Sequence, residues 1–122
     1  MTLIDSSGWM EYFIDGTRAS LIEKHLLKID SLVVPTLVLY EVYRQLLKKI
    51  DEKEVLFAVS QMEKGHIIPL DQEIAFFAAD LSLKHKLGTA DAVIYATALT
   101  HQAKLVTLDN DFRNLPHCVV VD

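Results

Sequence analysis

Five short runs of almost wholly apolar residues, separated by longer stretches of helical periodicity, set the tightest limit on how this chain can fold. They are Thr2 to Ile4, Leu32 to Val34, Ile67 to Leu70, Leu105 to Leu108 and Cys118 to Val121. A strand with one wet face alternates apolar and polar residues, whereas a strand covered on both faces does not. These runs do not alternate, so both faces of their sheet need covering, and the intervening helices are the segments that can do it. The expected fold class is α/β: a three-layer α/β/α sandwich around a mostly parallel, about five-stranded sheet.

The helices follow from stripes and end signals. After Pro35 and Thr36, residues Leu39, Val42, Tyr43, Leu46 and Ile50 share one face. A second helix starts after Asp71, buries Ile74, Phe77, Ala78 and Leu81, and stops at Gly88. A third runs from about Thr89 to Gln102, its alanines allowing close approach to the sheet. Weaker helical segments are expected over Ser20 to Ile29 and Asp51 to Lys64. The length of 122 residues suits a single domain over 1–122, and 51% hydrophobic with 24% charged residues is a globular balance. No apolar run approaches the roughly 20 residues that span a bilayer. With no basic flank and apolar core at the N-terminus, the expected location is cytoplasmic, without membrane contact. The single Cys118 reads as a buried structural thiol. His25, His66, His85, His101 and His117 show no ligand spacing, and Phe76, Phe77 and Tyr95 read as core.

Four acids stand where chemistry is done in such folds. In open α/β sheets the functional crevice lies beyond the carboxyl ends of the strands. Asp5 directly follows the first strand, and Asp109 follows the run Leu-Val-Thr-Leu. Asp91 falls in the first turn of its helix, and Glu41 about two turns after the strand ending at Val34. Each also has a reading without chemistry. Asp5 and Asp109 can be turn or cap residues, and Asp91 an N-terminal helix acid. Glu41 lies opposite the apolar stripe, where an exposed pair with Arg44 or Lys48 accounts for it.

If the four converge, they need a cation, since like charges about 4 Å apart repel by about 4 kcal/mol at an effective dielectric of 20. Oxygen ligands without cysteine or paired histidine select hard ions, Mg²⁺ or Mn²⁺. Two such ions can activate water and stabilise the leaving oxygen of a phosphodiester. The formal charge of −5 argues against a broad basic surface for nucleic acid, but setting the four acids aside brings it to −1. No basic–aromatic motif identifies a target RNA.

The segments Leu-Ile-Asp-Ser-Ser-Gly-Trp, Val-Pro-Thr-Leu-Val-Leu-Tyr-Glu-Val, Thr-Ala-Asp-Ala-Val-Ile-Tyr-Ala-Thr-Ala and Leu-Val-Thr-Leu-Asp-Asn-Asp-Phe occur in the order and spacing of PIN domains. Over nearly its whole length the chain resembles that family, and its compact size is similar to the VapC toxins of toxin–antitoxin pairs. The resemblance implies catalytic and metal-binding roles for Asp5, Glu41, Asp91 and Asp109. It maps small hydroxyl residues beside the site to Ser6 and Thr107, and leaves Asp111 as a helix cap or an outer metal ligand. It implies a Mg²⁺- or Mn²⁺-dependent endoribonuclease that leaves a 5′-phosphate, a homodimer, an RNA substrate and a cognate VapB-type antitoxin. A dehalogenase-type phosphatase would need an acid where this chain has Ser7, and a receiver domain would need paired acids after strand one. A non-catalytic PIN-like scaffold binding RNA or protein is the alternative that stays open.

Overall fold

The computed structural model describes all 122 residues. Strand β1 (Thr2–Ile4) ends at Asp5, whose carboxylate accepts the Gly8 amide and so caps helix α1 (Ser6–Phe13). The apolar stripes give no helix here. The signal lies in the cap itself, an aspartate in extended backbone three residues before the amide it binds. Helix α2 (Ala19–Leu26) follows, and β2 (Leu32–Pro35) runs into α3 (Thr36–Leu47), with Pro35 lacking only an amide that a helix start leaves unused.

Helix α4 (Glu52–Met62) is capped by Asp51, and β3 covers His66–Ile68. That strand lies earlier than the expected Ile67 to Leu70, because Pro69 has no amide to donate to a ladder. Helix α5 (Gln72–His85) ends at Lys86 in the left-handed conformation, φ 57°. Gly88, expected to stop this helix, instead precedes α6 (Thr89–Thr100) as its N-cap. Strand β4 (Lys104–Thr107), a 3-10 turn at Asn110–Phe112 and β5 (Cys118–Val120) complete the chain.

The sheet order is β3-β2-β1-β4-β5, and every pairing is parallel. Parallel crossovers are right-handed. The steps from β1 to β2 and from β2 to β3 go in one direction, which puts α1 to α4 on one face. The step from β3 to β4 returns across two strands and puts α5 and α6 on the other. The packing agrees: α1 meets α2 and α3, α3 meets α4, and α5 meets α6. The direction reverses between β1 and β4, so the crevice opens beyond their carboxyl ends, where Asp5 and Asp109 stand.

One cluster of 29 buried hydrophobic residues fills the space between the layers. Helix α3 buries Val38, Val42 and Leu46, with Leu39, Tyr43 and Ile50 only partly covered, so its inward face is turned from the one expected. Helix α5 buries Ile74, Ala78 and Leu81. Phe76, expected in the core, is 64% exposed, because one residue of helix rotates it about 100° from the half-buried Phe77. No helix is long and apolar enough to cross a membrane.

Phe112 is fully buried beneath the turn after β4 and meets Tyr95 of α6 edge-on, ring centroids 6.2 Å apart. The Tyr95 hydroxyl donates to the Pro116 carbonyl at 2.9 Å. This contact fixes α6 against the turn that carries Asp109 and Asp111. Removing a buried phenyl ring leaves a cavity, so Phe112→Ala is expected to destabilise the fold by about 3–5 kcal/mol in urea unfolding. Phe112→Leu should cost less, and a loss below about 1 kcal/mol for the alanine variant contradicts this anchoring role.

Candidate active site

Asp5 is almost fully buried, and the surrounding chain is arranged to hold its carboxylate. Oδ1 accepts from the Ser7 hydroxyl at 2.6 Å and the Gly8 amide at 3.0 Å, while Oδ2 accepts from the Thr107 hydroxyl. Thr107 in turn accepts the Asp109 amide at 3.0 Å, and Ser7 accepts the Leu108 amide at 3.0 Å. The ends of β1 and β4 are thus joined through two hydroxyls. Burial pushes the Asp5 carboxyl above its ordinary range; the bonds from Ser7, Thr107 and Gly8 pull it back, and the charge of Asp109 pushes it up again.

Beside it, carboxylate oxygens of Asp91, Asp109 and Asp111 lie within 4.8 Å of one another. The first turn of α6 supplies Asp91, and the turn after β4 supplies the other two. Asp109 Oδ1 accepts the Asp111 amide at 2.9 Å, which caps the 3-10 turn and fixes the Asp109 side chain. Asp91 titrates at about 6 instead of 3.8, first because burial penalises its charge, then because Asp109, Asp111, Asp5 and Glu41 repel it. All five carboxylates therefore share one electrostatic field.

Glu41 is not on the outer face of α3 that its helical position suggested. Its Oε1 is buried without a hydrogen-bond partner, and neither Arg44 nor Lys48 pairs with it. The reason is tertiary: α1 packs against α3 and covers this shoulder of the helix. Burial raises the Glu41 carboxyl, the nearby Ser6 hydroxyl lowers it, and Asp5 raises it. Ser6 and Thr107 thus face different acids, Glu41 and Asp5. Ser7, the residue that bonds both Asp5 and β4, was not singled out in the sequence. The signal for it is a hydroxyl two residues after an N-cap aspartate.

Such a set of oxygens suits a hard divalent cation. A buried carboxylate oxygen without a partner is costly unless something positive meets it, and Asp91, Asp109 and Asp111 are close enough to share one ion.

The crowding has a signed pH dependence. Between pH 3.8 and about 6 folded Asp91 keeps a proton that the unfolded chain gives up. Its contribution to stability is present below 3.8 and is lost as pH rises through about 6. The raised carboxyls of Asp5 and Glu41 act in the same direction. In chelator, the urea midpoint of the wild type should therefore fall between about pH 4 and 7 more than that of Asp91→Asn. Parallel pH profiles for the two proteins contradict the shared field.

The PIN domain family profile matches residues 2–117. Among solved structures the chain is similar to a toxin–antitoxin complex from Klebsiella pneumoniae, with TM-score 0.86 and 23% identity over 98% of this chain and 97% of that one. It is similar to VapBC2 from Rickettsia felis bound to a promoter DNA fragment, with TM-score 0.76 and 16% identity over 98% and 96%. It is also similar to Mycobacterium tuberculosis VapC20, a Sarcin-Ricin loop cleaving toxin, with TM-score 0.74 and 14% identity over 92% of each chain. Compared with curated proteins the chain finds no significant match. The profile spans the first four strands and every acid of the cluster, and the chain belongs to the PIN domain family.

Proposed function

We propose that the protein is a divalent-metal-dependent endoribonuclease, the toxin of a toxin–antitoxin pair. The observation that carries this reading is the convergence of Asp91, Asp109 and Asp111 with Asp5 and with Glu41, whose Oε1 has no partner, at the switch point of a parallel sheet. Family membership supports nuclease chemistry, and the toxin and toxin–antitoxin structures it resembles support the biological setting. The toxin–antitoxin complexes among those structures support a cognate VapB-type antitoxin as partner, and the homodimer is what the family resemblance implies.

Asp91, Asp109, Asp111 and Glu41 are the residues that would hold Mg²⁺ or Mn²⁺, with Asp5 completing the charge. When bound, the cation supplies a nucleophilic water at neutral pH and stabilises charge on the phosphodiester. The protein's own contribution is orientation. Ser7 and Thr107 fix both oxygens of Asp5, so this carboxylate cannot swing when substrate enters. The capping bond from the Asp111 amide fixes the Asp109 carboxylate against the turn.

Pure protein incubated with RNA is expected to cut it only when Mg²⁺ or Mn²⁺ is present, and to leave 5′-phosphate ends. Asp5→Asn, Glu41→Gln and Asp91→Asn should each abolish cutting with the fold intact. Thr107→Val removes an orienting bond and leaves the acids in place, so it should lower activity or metal affinity by about 10–100-fold. Calorimetric metal binding should vanish in the Asp5→Asn/Asp91→Asn double variant. Unchanged binding in that variant, or cleavage in chelator, overturns the assignment, and an absence of cleavage with either metal favours the non-catalytic scaffold.

A further inference from the structure

Helix α3 has two faces that repeat every fourth residue. Val38, Val42 and Leu46 are its buried row. Tyr40, Arg44 and Lys48 form the row two residues out of phase, on the side turned to solvent, and Tyr40 is 62% exposed. An exposed tyrosine of this size is an exception in a chain that buries Tyr95 fully. The only ion pairs in the chain are Arg18 with Glu11 and Arg113 with Asp122, so Arg44 and Lys48 have no carboxylate partner. The single acid of α3 is Glu41, and it is turned inward to the cluster. In a protein of net charge −5 this leaves Arg44, with Lys48 and Lys49 just past the end of α3, as a basic group without ion pairs on the segment that supplies one of the site's acids.

The row also points the right way. Helix α3 leaves the sheet at the carboxyl end of β2, the edge on which the acids converge, and Glu41 sits beside Tyr40. From Tyr40 to Lys48 the helix rises about 12 Å, so the cations lie progressively farther from the acids. A flat aromatic face followed by cations is what a single strand needs: bases stack on the ring and phosphates meet the positive charges. In sequence the pattern is hidden, because the three residues are separated by apolar ones and only the helix aligns them.

We propose that the outer face of α3 is a binding track for single-stranded RNA, in which Tyr40 stacks a base next to the scissile phosphate and Arg44 and Lys48 take the phosphates beyond it. This rests on the ribonuclease reading above, and assigns residues that the metal chemistry does not use.

The test is fluorescence anisotropy of a short, random-sequence single-stranded RNA binding the full chain in Ca²⁺, with Mg²⁺ and Mn²⁺ left out so that the strand is not cut, across a series of KCl concentrations. Each phosphate contact to a single strand contributes about 0.7 to the slope of log K against log salt, so Arg44→Ala/Lys48→Ala should lower the slope by about 1.4 and weaken binding. Tyr40→Ala should weaken binding at least about fivefold and leave the slope unchanged. Circular dichroism and light scattering on each variant check fold and mass. Wild-type binding with unaltered slope and affinity in the variants overturns the track and leaves the nuclease reading standing. A changed mass with unaltered RNA affinity assigns the face to a protein partner and also overturns it. No RNA binding by the wild type overturns both.

Discussion

The hydrogen bonds that converge on Asp5 are the constraint on which the rest of the site depends. One carboxylate ends β1, caps α1 and accepts the hydroxyl of Thr107 from the neighbouring strand. Burying an ionised group without partners is very costly, and here it is tolerated because both oxygens are satisfied from rigid elements. The capped helix α1 then lies against α3 and closes over Glu41. Through Thr107 the same network sets the start of the turn that carries Asp109 and Asp111. Three layers of structure thus aim their acids from one anchor.

This arrangement also explains why the acids carry different loads. Asp5 is a structural cap and a member of the charge cluster at once, so the two sequence readings of it are not alternatives. Its substitution disturbs three hydrogen bonds as well as a charge. Asp91 makes no side-chain hydrogen bond of its own, and its raised pKa comes from burial and from its neighbours. It reports the crowding more cleanly than Asp5 does. A site with this much repulsion is stable only against the rest of the fold, a common trade of stability for function.

The sheet is legible because buried parallel strands leave continuous apolar runs, and Asp5, Asp91 and Asp109 fall at strand or helix ends in the same pattern. Helix α1 is not, because its apolar residues form no long stripe and its start signal, Asp5, reads equally as a turn, a cap or a site residue. The orientation of Glu41 was illegible for a related reason: a helical wheel knows one helix, and the inward turn comes from α1 packing alongside. Ser7 was hidden beside Ser6, since two adjacent hydroxyls point in different directions and only the backbone decides which meets Asp5. Phe76 looked like core because its neighbour Phe77 is partly so.

The central claim is that five crowded carboxylates form one cation site whose repulsion destabilises the protein until the ion binds. Thermal unfolding of wild type and Asp91→Asn, each in chelator and in excess Mn²⁺, tests it most directly. The variant should melt higher in chelator, where it loses a repelled charge. In Mn²⁺ the order should reverse, because an ion that binds only the folded state adds about 2.7 kcal/mol at a hundredfold excess over its Kd, and the wild type binds it better. A wild type that melts at the same temperature with and without Mn²⁺ contradicts the claim.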